Sequence, residues 1–502
     1  MTTTALSLIR PFSPTARIST APRSDLLSLQ TQIFQATRTA ARPVRGLMSW
    51  VLDRRNLTAA WDRVFAADGA DTPGPDGVTC AQLKNRVGPY LADLAEDLFH
   101  RRYTPGGARW VDIPKPNNPT ATRRIGILNI RDRVVQNAVR QVLEPVLEPT
   151  FLPTSFGFRP GRSVAGALDA AACALSAPAN KAPDYLVAVP LDVADCFPTI
   201  EHAGLLADLA AQIADPDLLD LIGRAVGAGG EVSGRLWWQR RCGLIQGGPL
   251  SPLLCNLALH PLDSVAAQLT RDTRRGVLVL RYADDLLLLA RHAATAKAAV
   301  GTLRNVLRSR WQRFKAEPTP VPATNGVEWL GVQLRPRPLV RPGETAYGYA
   351  VPEAKTAGMI ARLVEMTTPP SDKIDAATFN LGKWIVSVNT QLRDWRQAYL
   401  FADNAPDLFR LLDQVAFERI GELLRAVNGV GWAEIRRNHF ARLPRGFRTW
   451  EVPGARLSVL SSLAPCAPAW LTRRPSWWKE APNPSPAPTV PTTPSIVPME
   501  GI

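Results

Sequence analysis

The run VLVLRYADDLLLLA, residues 277–290, constrains the fold more than any other segment of the chain. Two apolar stretches flank a short polar turn, the signature of a β-hairpin. The turn sets Asp284 and Asp285 side by side. Adjacent carboxylates repel each other and bring no structural gain unless a cation lies between them, so such a hairpin tip is suited to clamp a divalent metal. An acid-rich, solvent-exposed turn is the plainer alternative.

A third acid stands in LDVADCF, residues 191–197, where Asp192 ends the short apolar strand YLVAVPLDV of residues 185–193. An ionised carboxylate beside an apolar run is costly unless paired, so Asp192 needs a partner such as a metal ion. Asp192, Asp284 and Asp285, with the backbone carbonyl of Val193, could supply ligands for two Mg²⁺ ions about 4 Å apart, the arrangement used in nucleotidyl transfer. Phe197, five residues after Asp192, could lie beneath a sugar and exclude a 2′-hydroxyl, or serve only as a core aromatic.

Two further segments fit a nucleotide site. In GLIQGGPLSPLLCNLAL, residues 243–259, Gly247 and Gly248 permit close backbone approach, Pro249 suits a helix start and the leucines bury that helix. Gln246 and Gly247 would then face the nucleotide or template, the alternative being a buried turn without contacts. RWVDIPKPN (109–117) and RRIGILNI (123–130) read as a hairpin whose Lys115, Arg123 and Arg124 carry the charge to hold triphosphate oxygens. A solvated basic face is the competing reading.

The balance of charge agrees with a polyanionic partner. The chain has 59 basic and 44 acidic residues, a formal charge of +15, and 50 of the basic residues are arginines, whose planar forks suit phosphate. No stretch of 18 apolar residues occurs, so no membrane span is expected. The six cysteines are far apart, without a C-x-x-C pair, and read as reduced thiols of a cytoplasmic protein.

A length of 502 residues implies two or three packed units. Residues 1–45, with Asp25 as their only acid, read as a disordered basic arm. Helical periodicity starts near Leu47, a helical region covers 202–228, a polar hairpin covers 229–245, and VEWLGVQL (327–334) reads as one strand. A boundary falls near 352. Helices follow at 353–366, 374–402 and 406–428, then a basic segment to about 450. Residues 451–502 read as a proline-rich tail, with seven prolines in the last 22 residues.

Seven blocks in order resemble the reverse transcriptases encoded by group II introns. They are RNLTAAWDRVFAADGADTPGPDG, WVDIPKPN with RRIGILNIRDRVVQNAVRQVLEPVLEP, SFGFRPGRS, DVADCF, QGGPLSPLLCNLAL, RYADD and EWLGV. The resemblance covers roughly 46–430. It implies an RNA-directed DNA polymerase of α/β (α+β) right-hand fold: an antiparallel palm sheet, helical fingers within 46–352, and a helical thumb and maturase-like RNA-binding region at 353–450. It also implies that Asp192, Asp284 and Asp285 bind two Mg²⁺ ions, and that Trp329, Leu330 and Gly331 grip the primer end. The partners implied are an RNA template, a DNA primer, deoxynucleoside triphosphates and group II intron RNA, in a bacterial cytoplasm. Pro318 stands where the family usually has a lysine, Pro198 where an aspartate is common, and the family's DNA-endonuclease region is absent. Two other roles would leave the same blocks in place. One is a domesticated relative acting in CRISPR adaptation, phage defence or DNA repair; the other is a non-catalytic RNA-binding splicing factor, against which the intact acid set argues.

Overall fold

The hairpin Val277–Tyr282/Asp285–Ala290 forms as its apolar runs require, and it lies at the centre of the molecule. The computed structural model describes residues 22–38, 43–115, 118–178, 181–228, 230–231, 241–272, 276–337, 345–368 and 380–463. Strands Val277–Tyr282, Asp285–Ala290, Val187–Asp192 and Val321–Pro322 lie in that order in one antiparallel sheet. Alternate residues of a strand face opposite sides, and here both sides are buried. Val189, Leu191, Val277, Val279, Leu286 and Leu288 enter one core, while Ala188, Leu280, Leu287 and Leu289 enter another. The continuous leucine run is thus explained by two cores, each buried leucine contributing roughly 1.5–3 kcal/mol.

The larger core is covered by helices, among them Arg54–Phe65, Ile130–Leu147, Pro216–Gly227, Ser251–Arg271 and Ala293–Ser309. On the other face lie helix Val164–Leu175, with Ala167, Leu168 and Ala171 buried, and a three-stranded sheet of Val327–Trp329, Val332–Pro336 and Tyr347–Ala350. The hairpin Ala108–Lys115/Asn118–Leu128 pairs along its length and is joined by the short parallel strand Gly230–Glu231. From Glu353 onward, helices Glu353–Thr367, Leu381–Tyr399 and Ala405–Asn428 surround a core of their own. Among the described residues no helix is long and apolar enough to cross a membrane.

Several expectations need correction. Residues 22–38 are not a disordered arm: Pro22–Arg38 is a helix that packs on Arg54–Phe65 and Ile130–Leu147. Leu29, Ile33 and Phe34 recur on one face and are fully buried, and Pro22 sits at the helix start, where its missing N–H is harmless. Residues 1–21 lie outside the described residues. The region 202–228 is two helices, His202–Ala210 and Pro216–Gly227, because Asp215 caps the second, accepting from Leu218 N at 3.3 Å. The segment 327–334 is a tight hairpin: Leu330 and Gly331 have φ of 49° and 81° and reverse the chain between Trp329 and Val332. The folded chain continues past 450, since strand Arg448–Val452 and the buried Leu457 and Leu460 complete the C-terminal core. There Asp413 accepts from Leu460 N at 2.6 Å and Ser461 N at 2.9 Å. Residues 464–502, and 229 and 232–240 of the expected polar hairpin, lie outside the described residues.

Ile33→Ala should lower the unfolding free energy by about 2–5 kcal/mol in urea titration. A disordered arm would leave the midpoint unchanged.

Candidate active site

Strand register decides where the acids meet. Asp192 lies directly opposite Asp285, with Leu191 opposite Leu286 and so on down both strands. Partners opposite one another in a sheet present their side chains to the same face. Asp192 and Asp285 therefore stand on the side of Ala188, Leu287 and Leu289, the side on which the 327–350 sheet packs. Tyr282 pairs with Asp285 across the hairpin, so Ala283 and Asp284 form the turn. Ala283 has a left-handed φ of 57°, and Val193 N donates to the Asp284 carbonyl at 3.1 Å, tying the turn to the end of the neighbouring strand.

Asp192 and Asp285 line an open cavity of about 750 Å³ with Lys315, Pro318, Trp329 and Leu330, and Asp284 adjoins it as the turn residue before Asp285. Burial and the charges of Asp284 and Asp192 push Asp285 up to about 6. Burial, with the charge of Asp192, also raises Asp284, while Arg123 and Lys315 oppose the rise. Lys315 Nζ donates to Asp192 Oδ2 at 2.6 Å, and this bond raises the lysine. Among the described residues no trio of His, Cys, Asp or Glu side chains closes tightly enough to hold an ion unaided.

The other expected site residues divide. Arg123 and Arg124 are successive strand residues and so face opposite sides. Arg124 bonds its cross-strand partner Asp112 at 3.1 Å, while the charge of Arg123 is felt at Asp284. Lys115 is the last residue of its strand, paired with Asn118 at a register shift. Gln246 accepts from Gly126 N at 2.8 Å through its carbonyl, and Gly247, at φ 101°, lies against Ile125, so this loop abuts the basic hairpin. Phe197 is half-buried on the larger core and meets the ring of Phe158 edge-on at 6.2 Å. Trp329, Leu330 and Gly331 line the cavity with Asp192 and Asp285. Lys355 Nζ, from helix Glu353–Thr367, donates to the Gly331 carbonyl at 3.0 Å.

Three contributors escaped the sequence reading. Lys315 arrives because Ala194 N and Lys315 N bond the carbonyls of Arg313 and Asp192, laying residues 313–315 along the strand end. Lys315 places an ammonium in the cavity that Pro318 also lines. Gly157, in SFGFRPGRS, passes so close that a Cβ there would stand 2.3 Å from Ala283 N. Arg281 is the buried neighbour of the turn, 1% exposed in its side chain. Its place in the motif RYADD was legible, but its inward direction was not.

Residues 113–334, which hold all three acids, match the reverse transcriptase (RNA-dependent DNA polymerase) family. The chain carries a reverse transcriptase domain and is similar to the group II-like reverse transcriptases. Protein YkfC of Escherichia coli K12 is 28% identical over 347 residues, 63% of this chain and 88% of its own length. The group II intron-encoded protein LtrA of Lactococcus lactis is 31% identical over 215 residues, 42% of this chain and 33% of LtrA. The COX1/OXI3 intron 2 protein of Saccharomyces cerevisiae is 27% identical over 251 residues, 49% of this chain and 27% of that protein. This reverse transcriptase thus spans most of YkfC but only about a third or less of these two intron proteins.

Asp285 is held above its ordinary 3.8, so folding favours its protonated form, and its contribution to stability falls as pH rises from 3.8 to about 6. Cation binding needs the ionised form. Mn²⁺ affinity, followed by the electron paramagnetic resonance signal of the free ion, should fall about tenfold per pH unit below pH ~6 and level off above ~7. Asp285→Asn should flatten that profile.

Proposed function

We propose that this reverse transcriptase extends a primer on an RNA template by two-metal nucleotidyl transfer, and that it also binds group II intron RNA. The observation carrying the first part is the juxtaposition of Asp192 with Asp285, beside the 329–331 turn, in one open cavity. The primer 3′-oxygen bonds to the α-phosphorus of a deoxynucleoside triphosphate, the bond to the bridging oxygen breaks, and pyrophosphate leaves. Two Mg²⁺ ions, when bound, supply a lowered pKa for the 3′-hydroxyl and charge neutralisation for the pyrophosphate.

The donor set fits that chemistry. Magnesium sites at phosphates use one or two carboxylates each and complete their shells with phosphate oxygens and water. Asp192, Asp284 and Asp285, with the Val193 carbonyl, would be the protein's share, which accounts for a trio that does not close on an ion by itself. Lys315 balances Asp192 in the free enzyme and is placed to pass to a phosphate oxygen when cations arrive. Arg123 and Lys115 would hold the triphosphate. Arg124 would serve it less directly, being paired with Asp112. Phe197, braced by Phe158, would lie under the sugar, Gln246 and Gly247 against the nucleotide or template, and Trp329, Leu330 and Gly331 at the primer end.

In this reading the four-stranded sheet is the palm, the 108–128 hairpin and the helices before it are the fingers, and the helices from Glu353 are the thumb. Intron RNA binding rests on the relatives named for introns and on the exposed Arg436 and Arg437 of helix Trp432–His439.

Purified protein with Mg²⁺, a DNA primer and an RNA template should incorporate deoxynucleotides. Asp284→Asn should slow incorporation at least about 100-fold, a loss of roughly 2.7 kcal/mol in transition-state stabilisation. Normal extension by that variant would refute the assignment.

A further inference from the structure

We infer that Arg281 is a positioning residue for the catalytic turn: through Asp263, Asn256 and Ser155 it holds the Ala283 carbonyl, and so sets the direction in which Asp284 is presented. This rests on the polymerase reading above and adds to it a residue that touches neither substrate nor ion.

A guanidinium has five N–H donors in a planar fork, and all five of Arg281's are used. Nε and Nη2 grip Asp263 in a bidentate pair at 2.7 and 2.6 Å, and Nη2 also donates to Ser155 Oγ at 2.8 Å. Nη1 donates to Asn256 Oδ1 at 3.0 Å and to the Ala283 carbonyl at 2.8 Å. Asn256 in turn donates to the Gly157 carbonyl at 2.8 Å, and Gly157 is the residue whose backbone lies against Ala283 N. The backbone of Arg281 completes the clamp: its N–H donates to the Thr154 carbonyl, and its carbonyl accepts from Phe156 N.

The clamp meets a specific need. Ala283 is held at φ 57°, a conformation that costs an L-residue with a Cβ about 1–2 kcal/mol. A strained residue persists only where its surroundings over-determine it. The Arg281 side chain grips this peptide, the 154–157 loop lies along the outer edge of the Val277–Tyr282 strand, and Val193 N holds the next carbonyl. Burying a charge pair this deeply is a poor route to stability compared with apolar packing, whereas it is an effective way to fix geometry. Lysine cannot take the place of Arg281: a point charge with three donors could not reach two carboxylate oxygens, a hydroxyl, an amide and a carbonyl together.

The test compares the full-length protein with Arg281→Lys, alone and with Ala283→Gly, by Mn²⁺ titration read from the free-ion paramagnetic resonance signal. Thermal unfolding of each variant is recorded alongside. Arg281→Lys should weaken Mn²⁺ binding about 10- to 100-fold, the range for residues that orient metal ligands indirectly. Adding Ala283→Gly, which relieves the left-handed strain, should recover most of that loss without restoring the unfolding temperature, an outcome a purely structural role would not give. If Arg281→Lys does not fold, Ser155→Ala, which removes one acceptor only, should weaken Mn²⁺ by about threefold. Unchanged Mn²⁺ binding in the folded variant, or no recovery with Ala283→Gly, overturns the inference while leaving the polymerase reading intact. Unchanged binding in Asp284→Asn would instead remove the metal site itself, and the role of Arg281 with it.

Discussion

The register between strands Val187–Asp192 and Asp285–Ala290 is the constraint on which the rest of this reverse transcriptase depends. A slip of one residue would turn every side chain of a strand to the other face. It would take Asp192 away from Asp285 and send Leu287 and Leu289 into the wrong core. Because both faces of the sheet are buried, by Leu286 and Leu288 on one side and Leu287 and Leu289 on the other, no slipped pairing keeps the apolar contacts. The same leucines that stabilise the fold therefore fix the carboxylates opposite each other.

Holding acids together opposes folding, and the structure distributes that burden. Asp285 is pushed up to about 6 by burial and by its acidic neighbours. Lys315 answers the charge of Asp192 from the solvent side. On the inner side the turn is held by Arg281, paired with Asp263. A second buried pair, Arg159 with Glu148 at 2.7 Å, fixes the start of the loop that carries Gly157 to the turn. The charges that face water are free to exchange partners with cations and phosphates, and those that face the core are not.

Much of this was legible in the sequence, and what was not shares a cause. The acid-tipped hairpin, the strand ending at Asp192 and the long helices of the C-terminal half follow from local periodicity, which needs no knowledge of distant partners. The 327–334 hairpin was hidden because Leu330 is an unusual residue for a left-handed turn, and Gly331 alone does not announce a reversal. The helix at 22–38 was obscured by Pro22 at its start and by Pro11 and Pro14 before it, although Leu29, Ile33 and Phe34 carry the period. Lys315 and Gly157 reach the site only through pairing with segments far away in sequence, Lys315 along Asp192 and Gly157 against Ala283, and no local pattern encodes that. Arg123 and Arg124 looked equivalent as a basic pair; strand alternation and Asp112 separate them.

On the proposed mechanism, the acids brought together by this register form one two-cation site. Anomalous diffraction from crystals of the protein with Mn²⁺, a primer on an RNA template and a non-hydrolysable deoxynucleotide tests it most directly. Two manganese peaks about 4 Å apart are expected, both within ligand reach of Asp192 and the 284–285 turn. Peaks elsewhere, or Asp192 still bonded to Lys315 with no ion beside it, would contradict it.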